Sequence, residues 1–201
     1  EIDLQKFHPA IKNRHQHKKI LPMTLNEDIA FIMGALISEG YIGKNKIEFC
    51  NSDIEFIRLF EEKWKKVFPD SRLHKFEKFP SSYGKKIYWR LECHSRHITE
   101  FLRNIGILPV KSDKKDVPYL ILKSPKKVII NFISAYYEGD GGSSHSKNMF
   151  ELRACSTSEK LLTVLQTLLL RFGIESSRRY DINKNSHLLF IRGKRNFLRF
   201  Y

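Results

Sequence analysis

Two acidic residues, Glu39 and Asp140, hold matching places in two similar stretches of the sequence, 101 positions apart. Each closes an apolar segment, follows a small residue and precedes a glycine: Ser38–Glu39–Gly40 and Gly139–Asp140–Gly141. A second small residue stands four positions before each of these, Gly34 ahead of Ser38 and Ala135 ahead of Gly139, on the same helical face. Small side chains let two helix backbones approach closely. Helices packed through these faces would end side by side and bring their acids together. Two carboxylates at two negative helix ends repel each other and are opposed by both dipoles. Such a pair calls for a cation, and Mg2+ is the usual hard ion beside phosphate. That chemistry is metal-assisted phosphodiester hydrolysis. One acid before a helix-ending glycine says little; its duplication carries the reading.

The elements that must position these acids are also duplicated. Thr24 and Glu27 have capping-box spacing and start a helix that ends near Gly40, while Ser124 and Pro125 start its counterpart. Strands are expected at Lys46–Cys50 and Phe150–Cys155. Each leads into a helix, 53–68 with Ser52 and Glu55 as its capping box, and 157–172 with Ser156 and Glu159. Further strands follow at 72–78 and 86–93, then 177–182 and 186–192, and a helix over 97–105 closes the first half. The residues therefore predict two α+β subdomains of order αβαββα. The chain divides into a basic N-terminal arm (1–21), a first subdomain (22–106), a linker (107–123) and a second subdomain (124–201), C-terminally short because Tyr201 falls inside its expected last helix.

The partner follows from charge. Among 201 residues, 36 Lys and Arg against 22 Asp and Glu leave a net charge of +14. Basic residues recur along the whole chain rather than beside one amphipathic helix, which favours an extended polyanion over a membrane surface. Hydrophobic residues at 41% provide a core and exclude wholesale disorder. No apolar run is long enough to span a bilayer, and no secretory leader is visible, so an intracellular, cytoplasmic location is expected. Three widely spaced cysteines (Cys50, Cys93, Cys155) fit free thiols in a reducing compartment. In the strand 86–93, Ile87, Trp89, Leu91 and Cys93 fall on one face and Lys86, Tyr88, Arg90 and Glu92 on the other. A sheet of this kind covers helices with one face and offers the other to a groove.

Other clusters carry less. Cys93, His94 and His97 are too few for a tetrahedral zinc site without a second group. His15–Gln16–His17 belongs to the basic arm. Gly139–Asp140–Gly141–Gly142 follows a helix instead of opening one, the wrong order for a phosphate cradle.

The segments Ile32–Gly40 and Ile133–Gly141 resemble the two signature helices of a single-chain LAGLIDADG homing endonuclease, of the kind found in inteins and archaeal introns. Ser156–Glu159 and Arg171–Ile174 are also similar to that family, and the resemblance covers about 22–201. It implies two pseudo-symmetric αββαββα subdomains around a central helix pair, with saddle-shaped antiparallel sheets straddling the major groove of double-stranded DNA. Glu39 and Asp140 would bind Mg2+ and each help to cut one strand. Ile37 stands where the first motif usually has its first acid, which is not the metal ligand. Asn51 and Ser156 match a polar residue near the attacking water. Lys111, with Lys114 as alternative, matches a basic auxiliary whose second copy would lie beyond Tyr201.

On the same footing, DNA contacts are expected from Lys44, Arg72, Lys75, Lys86, Tyr88 and Arg90 in the first half. In the second half they are expected from Arg153, Arg178, Arg179, Lys184 and Arg192. The expected activity is site-specific, Mg2+-dependent double-strand cleavage by a monomer at a long non-palindromic target. The alternatives are an RNA maturase acting on intron RNA, or a non-cleaving DNA-binding regulator. Neither terminus offers the nucleophile and asparagine of self-splicing, so protein splicing is not expected.

Overall fold

The computed structural model describes residues 2–10, 17–80, 86–146 and 149–200. A short antiparallel pair, β1 (Ile2–Asp3) and β2 (Thr24–Leu25), precedes the first repeat. That repeat runs α1 (Glu27–Glu39), β3 (Gly40–Ile42), β4 (Ile47–Asn51), α2 (Ile54–Val67), β5 (His74–Lys78), β6 (Tyr88–Cys93) and α3 (Arg96–Asn104). A connecting segment carries the four-residue helix α4 (Tyr119–Leu122). The second repeat is α5 (Lys126–Asp140), β7 (Gly141–Ser146), β8 (Met149–Ser156), α6 (Glu159–Leu170), β9 (Ser176–Asp181), β10 (Ser186–Arg192) and α7 (Lys194–Phe200). Both repeats are αββαββα, with antiparallel sheets of order β3-β4-β6-β5 and β7-β8-β10-β9.

The order αβαββα read from the residues is therefore corrected by one strand per half. β3 and β7 begin at the glycine that follows each acid, without a turn between helix and strand. The Gly- and Ser-rich β7 carries little strand signal, and β3 is only three residues long, Gly40–Tyr41–Ile42. Gly40 is required there by space: a Cβ would fall 2.6 Å from the Leu36 carbonyl oxygen.

Helix caps differ from expectation by local competition. Thr24 is engaged in β2, so Asn26 caps α1, its side chain accepting from the Ile29 amide at 3.0 Å. The Ser124 hydroxyl donates back to Leu120, and α5 starts after Pro125 with no side-chain cap. Asp53 replaces Ser52 at the start of α2, and Ser158 replaces Ser156 at the start of α6.

The core is one continuous body through both halves, centred on α1 and α5. Ile29, Ile32, Met33 and Leu36 pack beside Val128, Ile129, Phe132 and Ala135, all fully or nearly fully buried. α2 covers the first sheet with an aromatic ladder, Phe60 stacked on Phe49 at 4.2 Å and followed by Trp64 and Phe68. α6 covers the second with leucines 161, 162, 165, 168 and 169. The described part of the expected N-terminal arm packs on the first half: Leu4 is buried, and the Lys19 amide donates to His97 Nδ1 at 3.1 Å. Lys12, His15 and Gln16 lie outside the described residues. Among the described residues no helix is long and apolar enough to cross a membrane.

Candidate active site

α1 and α5 meet through the small residues. Gly34 lies against the Phe132 carbonyl and Ala135, and Gly139 lies against Ser38. A Cβ on Gly139 would stand 2.7 Å from Ser38 Cβ and 3.0 Å from Glu39 Cγ. Glu39 and Asp140, the last residues of the two helices, are thereby brought within range of each other's charge. Burial pushes the Glu39 carboxyl up to about 7, with Asp140 adding to the rise and Lys115 opposing it. Burial likewise pushes Asp140 up to about 6, against the pull of Lys115 and of a hydrogen bond from Tyr136.

Lys115 is the cation of this centre. Its Nζ donates to the carbonyl oxygens of Ile37 at 2.7 Å and Ser38 at 3.1 Å, at the end of α1 where carbonyls lack helical partners. Burial lowers its pKa, and the charges of Asp140 and Glu39 act against that fall. Ser158 holds the lysine's backbone: its hydroxyl donates to the Lys115 carbonyl at 2.7 Å while accepting from the Leu161 amide at 3.2 Å. The linker lysine is thus anchored to the cap of α6 and spans both halves. Lys111 precedes and Lys114 ends a 3-10 turn in the same segment, and both are exposed.

The donor set suits a hard divalent cation. It offers two carboxylates from the helix ends, oxygen ligands of the kind hard cations take, and among the described residues no group of three or more His, Cys, Asp or Glu is gathered for any metal. A hard divalent ion held by one or two carboxylates keeps positions for water and phosphate oxygen, which matches this count.

Asn51 and Ser156 occupy equivalent turns. The Asn51 side chain accepts from the Asp53 amide at 2.7 Å, and the Ser156 hydroxyl from the Ser158 amide at 3.0 Å. Each turns its chain into the following helix.

The sheet faces sort the basic residues. Register places Glu48, Cys50, Arg90 and Glu92 on the open face of the first sheet, with Tyr88 and Lys78 beside them. On the second sheet it places Arg153, Phe190, Arg192, Cys155 and Arg179 there. Lys75 and Arg178 pair with core-side positions and turn to the helices instead. Lys75 ion-pairs with Glu61 at 2.9 Å, and Arg178 with Glu159 at 3.7 Å. Arg72 and Lys86 are exposed, preceding β5 and β6 rather than lying within them, and Lys44 and Lys184 are exposed in hairpin turns. Glu92 was expected on the same basic-aromatic face as Arg90. It is 5% exposed there and neutralised by Lys46 at 3.1 Å, Arg90 at 2.7 Å and His94 at 3.1 Å. Arg192 is likewise engaged by Glu151 at 2.8 Å.

A profile of the LAGLIDADG-like domain matches residues 26–106 and 127–201, most of the chain in two copies. The chain belongs to the LAGLIDADG-like family.

Among curated relatives, a segment of the replication factor C small subunit of Methanocaldococcus jannaschii is 31% identical over 172 residues. That match takes in 82% of this chain and 8% of that protein. A DNA gyrase subunit of Mycolicibacterium flavescens is 29% identical over 152 residues, covering 75% of this chain and 27% of the relative. The chain thus spans a small part of the length of these relatives. Among solved structures, the homing endonuclease I-WcaI bound to its DNA recognition sequence matches with TM-score 0.64 and 16% identity, over 90% of this chain and 81% of that one. I-DmoI in complex with DNA and Mn matches with TM-score 0.62 and 14% identity, over 88% and 95%. Full-length WhiA from Thermatoga maritima also matches with TM-score 0.62 and 14% identity, over 90% and 56%. At these identities the likeness is one of fold.

Two members of the centre were missed in the sequence, Lys115 and Tyr136. Three lysines stand in 111–115, and spacing alone does not say which one turns back over α1. Tyr136 had a readable signal: it lies four residues before Asp140, hence on the same helical face.

Proposed function

We propose that this chain is a site-specific endonuclease that cuts double-stranded DNA at a metal centre held by Glu39 and Asp140. The observation that carries the reading is the pair of carboxyls at the ends of α1 and α5, both pushed up by burial and both facing Lys115. A protein keeps two acids in so unfavourable a place when a cation is to be bound there. When bound, Mg2+ supplies an activated water and charge neutralisation at the scissile phosphate. Glu39 and Asp140 would hold it. Lys115 would set the charge of the pair and offer a proton donor on the Glu39 side, with Lys111 within the same segment. Asn51 and Ser156, at the mouths of the two sheets, would order water.

The open sheet faces would straddle the major groove, with Arg153, Arg179 and Lys78 free to meet phosphates or bases. Both halves are in one chain and differ in sequence, so a monomer would read a non-palindromic target. Curated relatives with unrelated names share this segment over a minor part of their length, which supports a mobile element inserted into its hosts. WhiA has the same fold, so the nuclease reading rests on the acids and not on the fold.

The test is selection of cleaved duplexes from a random DNA library in Mg2+. Recovery of one long asymmetric site supports the proposal. Tight binding of DNA with no cutting of any sequence would make the chain a regulator. Tight binding of structured intron RNA without cutting would make it a maturase.

A further inference from the structure

The two acids are not held alike. Four residues before Asp140 stands Tyr136, and four before Glu39 stands Ala35. Both are fully buried on the face that carries the acid. The Tyr136 ring is locked in the core beside Tyr137, ring centroids 6.4 Å apart. Its hydroxyl donates to the Cys155 carbonyl oxygen at 3.2 Å, and the side chains of Asp140 and Ser156 lie close enough to the phenol to act on its proton. One phenol hydroxyl therefore ties α5 to the end of β8, next to the turn that Ser156 makes and one helical turn from the Asp140 carboxylate. A phenol has a single proton to donate. A charged carboxylate draws that proton more strongly than a neutral carbonyl, so ionised Asp140 takes the stronger bond. On the other side, Ala35 has nothing to donate, and Glu39 has one more rotatable bond than Asp140.

We propose that Tyr136 is a positioning residue that fixes the Asp140 carboxylate and leaves the Glu39 carboxylate to adapt. The centre would then have one preorganised side and one adjustable side. This rests on the nuclease reading only for its consequence in cleavage; the bond itself can be tested without metal or DNA. Groups that orient a ligating carboxylate typically change metal affinity or activity by about 10- to 100-fold when removed. Loss of the hydroxyl should therefore fall mainly on the strand served by Asp140.

The experiment is a double-mutant cycle of Tyr136→Phe and Asp140→Asn, read first by chemical denaturation of the metal-free chain at pH 8. We expect the two changes to be non-additive, with a coupling of roughly tenfold in the unfolding equilibrium constant. Additive effects would overturn the proposal, because a hydroxyl that serves only the Cys155 carbonyl loses the same bond in either background. If Tyr136→Phe does not fold, Asp140→Asn with and without Tyr136→Met replaces it in the cycle under the same criterion. The second readout is binding of Mn2+ alone, followed by the spectrum of the free ion, where Tyr136→Phe should weaken binding at least tenfold. Unchanged Mn2+ binding would also overturn it. On a duplex selected with the wild type, Tyr136→Phe should change the ratio of the two strand-cleavage rates about tenfold. Equal slowing of both strands would refute the positioning role while leaving the nuclease reading intact. If the wild type cuts nothing, the nuclease reading fails and the cycle still decides the bond.

Discussion

Replacing Glu39 with Gln should stabilise the metal-free protein, and the gain should depend on pH. In the fold, burial pushes the Glu39 carboxyl up from 4.5 to about 7, so the folded chain holds its proton where the unfolded chain has lost it. Stability is then complete below about pH 4.5 and declines as pH rises through about 7, the range in which only the unfolded state is ionised. Each tenfold change in an ionisation constant is worth about 1.4 kcal/mol, which makes the full cost of the charge about 3 kcal/mol. Solvent at the mouth of the site screens part of it, so we expect Glu39→Gln to gain about 1–2 kcal/mol at pH 8. The variant has nearly the same shape, so near pH 4.5 the two proteins should be about equally stable. Urea denaturation at a series of pH values measures the difference. Millimolar Mg2+ should close the gap at pH 8 by stabilising only the wild type. A Glu39→Gln protein less stable than wild type at pH 8, or a difference independent of pH, would refute a buried, charge-strained pair.

Gly139→Ala should cost about 1–3 kcal/mol and lower cleavage, since its Cβ would stand 2.7 Å from Ser38 Cβ; Gly142→Ala, with only Arg153 Nε at 3.6 Å, should be close to neutral in the same denaturation assay. Lys115→Met should reduce single-turnover cleavage by about 100-fold or more with DNA binding retained, whereas Lys111→Met should change it little. The salt dependence of DNA binding should separate the two kinds of sheet arginine. Arg153→Ala or Arg179→Ala should each reduce the slope of log K against log salt by about 0.9, and Lys75→Ala or Arg178→Ala, whose partners are helix acids, should leave it nearly unchanged.

The acid pair was legible because it is local: small residue, acid and glycine at fixed spacing, repeated once. The helices that carry it were legible for the same reason, down to their glycine stops. What the sequence hid depends on contacts between distant segments. Lys115 reaches α1 from a segment whose backbone the Ser158 hydroxyl holds from 43 residues away. The strands β3 and β7 pair with β4 and β8, and neither was plain in the sequence: Gly40–Ile42 is only three residues long, and Gly141–Ser146 has little strand preference of its own. Capping moved by one or two residues, as at α1, where the backbone of Thr24 is paired in β2 and Asn26 caps instead. The split between Arg178 and Arg179 was within reach, because adjacent strand residues cannot share a face. Which of the two faced outward depended on the register with β10.

The role of the two helix-end acids is tested most directly by one comparison, the binding and cleavage of a selected duplex by wild type and by the double variant Glu39→Gln, Asp140→Asn. Binding is measured in Ca2+ and cleavage in Mg2+, strand by strand. The double variant is expected to bind as tightly as wild type, or more tightly, and to cut neither strand. Cleavage of either strand at the wild-type rate by the double variant would contradict a metal centre held by Glu39 and Asp140.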